Sequence, residues 1–149
     1  MPSKPRHTLR LAAIPLCAVA LIAAGCGGGS GYKDDLRSAK NEFKKSQKTS
    51  ASKIGSATTK QQYTAGVNEF KGAIQTFEGK LRTLKPPSRA SAAQTQLVGA
   101  LDALSQDLNA ILQAIDSGNI KQVQPLATKI PRDARAVEVA GTELDKKAR

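Results

Sequence analysis

Tryptophan is absent from this chain of 149 residues, aromatic residues make up only 3% of it, and histidine and methionine occur once each, as His7 and Met1. The two cysteines are Cys17 and Cys26, so the chain beyond residue 26 has no His, Met or Cys. That stretch therefore lacks the ligands of the usual zinc, copper and haem sites, and no metal or cofactor is expected. Ser-His-Asp and Cys-His catalysis are excluded as well, for want of an imidazole base. No phosphate loop of the form G-x-x-x-x-G-K-[ST] and no G-x-S-x-G elbow occurs. Carboxylate-only or Ser–Lys chemistry is left open, but neither has a spacing signature. Glu69, Glu78, Asp102 and Asp107 lie off or beside the apolar stripes described below and read as solvated helix-surface charges. No catalytic residue is assigned, and the chain reads as a non-enzyme.

Long apolar runs are scarce too. The longest covers residues 11–24, with Pro15 inside it. A bilayer-spanning helix needs about 20 apolar residues, so this run is short for a permanent span. Lys4, Arg6 and Arg10 precede it without an acid, and small residues follow it. A basic start, a short apolar core and a small-residue end fit an export signal. The run closes on Leu21-Ile22-Ala23-Ala24-Gly25-Cys26. This ending resembles the lipobox of bacterial lipoprotein signal peptides, with Ala23 where Leu is commoner.

The resemblance implies a diacylglycerol on the Cys26 thiol, cleavage between Gly25 and Cys26, and acylation of the new amine. It thus implies an extracytoplasmic protein anchored to the bacterial cell membrane through Cys26. Two or more acyl chains hold stably where one is marginal, at about 0.8 kcal/mol per buried CH₂. The expected organisation is a cleaved signal over residues 1–25, a lipidated Cys and Gly/Ser tether over residues 26–33, and a helical domain over residues 34–149. Gly27-Gly28-Gly29-Ser30-Gly31 has tether composition, with a reach of about 10–20 Å.

The formal charge of +11 is unevenly spread. Between Lys33 and Arg89 there are 13 basic and 5 acidic residues, whereas from Ala90 to Arg149 there are 7 of each. The basic half is the half nearest the anchor.

From Tyr32 onward the pattern is helical, without strand-like alternation. Over residues 59–84, Tyr63, Val67, Phe70, Ile74, Phe77, Leu81 and Leu84 recur at alternating spacings of 4 and 3, one continuous face of a helix. Thr59 and Gln62 have capping-box spacing, and Pro86-Pro87 ends the helix. Over residues 89–116 the stripe is Leu97, Leu101, Leu104, Leu108, Ile111 and Ile115, widened by Val98 and Leu112. Ser88 is the expected N-cap there, Gly118 the expected left-handed stop, and Asn119 the opening of the next segment.

Over residues 120–146, Ile120, Val123, Ala127, Ile130, Ala134, Val137 and Leu144 keep the period, with Gly141 in the one missing place, but Pro125 and Pro131 interrupt it. Two helical pieces on one line are expected, the longer from about Arg132. The first segment, residues 34–54, is the weakest. Leu36, Ala39, Phe43 and Ile54 share a face that Gln47 and Ser50 interrupt. The fold expected is all-α, an up-down antiparallel bundle of three to four helices. Gly66, Gly72, Gly79 and Gly99 lie inside helices at a cost of up to about 1 kcal/mol each. Gly72 and Gly79 share a face, which suits a close helix contact or a groove; moderate stability is the simpler reading.

Beside the first apolar face, Lys33, Arg37, Lys40, Lys44 and Lys48 form a basic stripe. It is the candidate contact for an anionic lipid surface or wall polymer, beside its plainer role as a solvated face. A protein partner in the envelope is the other expectation, since four patterned helices without reactive groups make an interaction or structural module. A carrier of a small apolar ligand is the third, with Tyr63, Phe70 and Phe77 lining a groove, although at this spacing they read as core. Nucleic acid is not expected as a partner: export separates the protein from it, and aromatics do not interleave with the basic residues.

Overall fold

The computed structural model describes residues 31–149. The expected signal peptide, the expected cleavage site at Gly25–Cys26 and most of the expected tether lie outside these residues. Among the described residues five helices follow one another: α1 Gly31–Gly55, α2 Lys60–Thr83, α3 Ser88–Asp116, the short α4 Ile120–Ala127, and α5 Ile130–Ala148. Among the described residues there is no strand. Short connections make successive long helices antiparallel. α1 packs on α2, α2 on α3, and α3 on both α4 and α5, so α3 is the central rod.

The stripes become the core. Every apolar residue of the α3 stripe, with Val98 and Leu112, is buried, and so is the α2 stripe up to Leu81. Phe43 of α1 stacks on Phe77 of α2 with ring centroids 4.8 Å apart, and lies 6.4 Å from Phe70. Gln47 and Ser50, which break the α1 stripe in sequence, are buried all the same at 6% and 0% exposure. The Ser50 hydroxyl has no hydrogen-bond partner. Ile120, placed on the stripe by its spacing, is 47% exposed at the first position of α4, a short helix with no fully buried residue.

Local chemistry explains the boundaries. Thr59 caps α2 by accepting the Gln62 N–H at 3.2 Å, while Gln62 Oε1 accepts from the Thr58 N–H at 3.0 Å. The return bond of the capping box is thus displaced by one residue. α2 stops at an extended Leu84, just ahead of Lys85-Pro86. Ser88 is the first residue of α3 and not its cap; Pro87 holds that position and offers no side-chain bond.

At the other end of α3, Gly118 is left-handed at φ 72°. Its N–H reaches Ile115 C=O at 3.2 Å, and Asn119 N–H reaches Ala114 C=O at 2.8 Å, which closes two orphan carbonyls. Asn119 precedes α4 but makes no side-chain cap. Pro125 is accommodated inside α4, and the chain breaks over Thr128 and Lys129, both still near helical geometry. Pro131 falls in the first turn of α5, where a missing N–H costs nothing, and α5 starts at Ile130, two residues before Arg132.

α1 begins at Gly31, three residues ahead of the expected boundary at 34. Burial of the Tyr32 ring explains the early start. Near the other end of α1, a Cβ built on Gly66 would stand 2.8 Å from Ile54 Cγ1 and 3.2 Å from Ile54 N. α1 therefore crosses α2 at Gly66. Gly72, Gly79 and Gly99 have nothing within 4 Å of such a Cβ and form no close helix contact.

Candidate functional site

The five basic residues of the α1 stripe have different fates. The inner edge of α1 turns Lys40 into the bundle, where it is 7% exposed and its Nζ pairs with the Asp145 carboxylate of α5. Lys40 therefore leaves the exposed stripe. A lysine stem long enough to span the seam, with a carboxylate opposite, makes that burial tolerable. Arg37 is exposed and donates to Asp34 at 2.9 Å. Lys33 is half-buried. Lys44 and Lys48 are exposed, and no ion pair engages them among the described residues; the same holds for Lys45, one position off the stripe. On the opposite flank of α1, Glu42 pairs with Lys80, and Lys53 pairs with Glu69 at 2.7 Å, so that flank is neutralised against α2.

Tyr32 lies four residues before Leu36 and so continues the α1 stripe, and it joins three helices. Its hydroxyl donates to Gln94 Oε1 at 2.8 Å, and Gln94 Nε2 donates to Leu81 C=O at 2.7 Å. Gln94 thereby satisfies a terminal carbonyl of α2. Burial, and secondarily the Asp145 carboxylate, push the Tyr32 hydroxyl up to about 12.

The four carboxylates do not behave alike. Glu69 is exposed and salt-bridged. Glu78 is buried between α2 and α3, 8% exposed, with Oε1 lacking a partner. Its pKa is raised by burial and then by the neighbouring Asp102, against the pull of Arg82, which holds Asp102 at 3.0 Å. Reading Glu78 as a solvated surface charge is corrected by its place beside the α2 stripe, between Ile74 and Leu81. Asp107 accepts from Lys129 at 2.7 Å and stands against Asp133 of α5. Burial pushes the Asp107 pKa up, but bonding to Lys129 and Asp133 outweighs it and the net direction is down. The Asp133 pKa goes up, through burial and then through Asp107. Two carboxyl pairs thus sit at helix seams, and periodicity alone shows neither.

Two clefts among the described residues include neither pair. A crevice of about 70 Å³ lies between α1 and α2 over Phe43 and Phe77. An open depression of about 490 Å³ lies among Lys60, Gln61, Thr64, Asn68 and Asp116. Tyr63, Phe70 and Phe77 are at most 5% exposed and form core. Among the described residues no group of three His, Cys, Asp or Glu is placed to hold a metal, and no helix is long and apolar enough to cross a membrane. No protein-family model matches the chain, and neither curated proteins nor solved structures give a match.

Proposed function

We propose that the protein is a lipid-anchored, extracytoplasmic envelope protein whose helical bundle is a non-catalytic interaction or structural module. The observation that carries this reading is the apolar run ending in Leu21-Ile22-Ala23-Ala24-Gly25-Cys26 after a basic start. The position of α1 supports it, since Gly31 at the head of α1 is five residues beyond Cys26 in the chain and the anchor would hold the bundle by that end. Mass spectrometry of the native N-terminus tests it. The expected product begins at Cys26 and carries the added mass of the glyceride and its acyl chains. An unacylated N-terminus, at Cys26 or elsewhere, overturns the reading.

A second reading is contact with an anionic wall polymer along α1. The exposed, uncompensated Lys44 and Lys48 favour it, because they stand 13 or more residues into the helix, about 20 Å from its start. Retention on isolated wall polymer that falls in Lys44→Gln/Lys48→Gln supports it, and retention unchanged by that pair removes it.

A further inference from the structure

The start of α1, the end of α2, the start of α3 and the end of α5 meet at one pole of the bundle. Three contacts fix the meeting: Tyr32 to Gln94 at 2.8 Å, Gln94 to Leu81 C=O at 2.7 Å, and Arg89 Nε to Lys147 C=O at 3.0 Å. Basic residues distant in sequence are gathered there. Lys85 and Arg89 flank the α2–α3 turn and are exposed. Lys146 and Lys147 end α5 with side chains 67% and 53% exposed.

Two of the acids of this pole are engaged, while Asp35 near the start of α1 is exposed and has no ion pair among the described residues. Asp34 is held by Arg37, and Asp145 by the buried Lys40. Glu143 lies 3.8–3.9 Å from Lys146 and Lys147, long surface contacts of little strength. At the opposite pole Lys53 is held by Glu69 at 2.7 Å, while Lys60 and Asp116 stand 3.8 Å apart in a contact as weak as those of Glu143.

We infer that this pole docks on acidic phospholipid headgroups, through Lys85, Lys146 and Lys147 with Arg89 beside them. The inference rests on the lipid-anchored reading for its geometry. Five peptide units separate Cys26 from Gly31 and span at most about 18 Å, so an anchored bundle presents this pole to the bilayer. Basic side chains within a screening length of about 8 Å feel an anionic leaflet strongly. Lys44, about 20 Å along α1, stands outside that range. The occupant is therefore a lipid surface met end-on, and not one lying along the α1 stripe.

The test uses residues 26–149 with Cys26→Ser, which retain the whole bundle and have no acyl chain. Cosedimentation is measured with vesicles of phosphatidylcholine alone and with vesicles that are one quarter phosphatidylglycerol. Binding only to the anionic vesicles, weakened by salt, is expected. Lys85→Gln/Lys146→Gln/Lys147→Gln is expected to lower partitioning about a hundredfold, near fivefold per lysine. These side chains are exposed, so far-ultraviolet circular dichroism should show the helices intact. Lys44→Gln/Lys48→Gln is expected to leave partitioning unchanged. Equal binding to both vesicles, retention on wall polymer without vesicle binding, or loss in the α1 pair alone overturns the inference. Failure of the anchor reading shows separately, as an unacylated native N-terminus, because the vesicle assay contains no acylated protein.

Discussion

The Tyr32 hydroxyl and the Gln94 side-chain carbonyl meet at 2.8 Å although 62 positions separate them. Through this bond the first turn of α1 is tied to α3, and Gln94 passes the tie to α2 by donating to Leu81 C=O at 2.7 Å. A residue placed by sequence in the expected tether is thereby made part of the core.

Breaking this junction should be costly in graded fashion. Tyr32→Phe leaves Gln94 Oε1 without its donor and is expected to destabilise by about 1 kcal/mol. Gln94→Leu strands both the Tyr32 hydroxyl and the Leu81 carbonyl and is expected to cost about 2–3 kcal/mol. Urea titrations of the two variants and the double variant measure this. A coupling near zero would show that the bond carries no stability.

The same tyrosine sets an alkaline limit. Its folded pKa of about 12 lies above the ordinary 10.0, so the neutral hydroxyl is favoured in the fold. The stability linked to it is fully present below pH 10 and is lost as pH rises through about 12. Tyr63 is raised as well, by burial, and adds in the same direction. Melting temperature should fall across this window in wild type and fall less in Tyr32→Phe.

The two neighbouring aspartates should respond with opposite signs. The folded pKa of Asp133 is raised, so its contribution is fully present below its ordinary value of 3.8 and is lost as pH rises through the folded one. Asp133→Asn is therefore expected to stabilise at pH 7 by about 1 kcal/mol, with the gain vanishing near pH 3. The folded pKa of Asp107 is lowered, so its contribution is present above 3.8 and lost as pH falls through the folded value. Asp107→Asn weakens the bond to Lys129 and is expected to destabilise at pH 7 by about 1–2 kcal/mol. Denaturation at both pH values checks the pair; the same sign for both substitutions at pH 7 contradicts the assignment.

Asp145→Ala leaves the ammonium of Lys40, 7% exposed, without its counter-charge, and is expected to cost about 3 kcal/mol. The double variant Lys40→Met/Asp145→Leu removes both charges and is expected to recover most of that loss. Guanidinium titration of the single and double variants distinguishes a buried pair from a surface one, for which neither change would exceed about 1 kcal/mol.

Glycine substitutions should separate open positions from the crowded one. Gly72→Ala, Gly79→Ala and Gly99→Ala meet nothing within 4 Å, and each is expected to stabilise by up to about 1 kcal/mol. Gly66→Ala drives a methyl to 2.8 Å from Ile54 and is expected to destabilise by about 1–3 kcal/mol. Thermal melts of the four variants measure the contrast.

The all-α class, the stripes of α2 and α3, the Thr59 cap and the Gly118 stop are all legible in the sequence. Each is a local property: a 3.6-residue period or a side chain bonding its own turn. The break between α4 and α5 was legible in kind, because a proline's missing N–H acts within one turn. What depends on how two helices cross was not legible. Lys40 reads as one more member of a basic stripe, and only its register against Asp145 makes it interior. Gln47 and Ser50 read as interruptions, and only the neighbours of α1 bury them. The carboxyl pairs Glu78 with Asp102 and Asp107 with Asp133 form from helices whose mutual rotation no period encodes. The gathering of Lys85 and Lys147 at one pole likewise follows from antiparallel packing over residues far apart in the chain. Sequence by itself determined which face of each helix is apolar, since hydrophobic burial needs only composition at a fixed period. Tertiary structure alone decided which charges meet, since a Coulomb interaction depends on separations of a few ångströms that only packing sets.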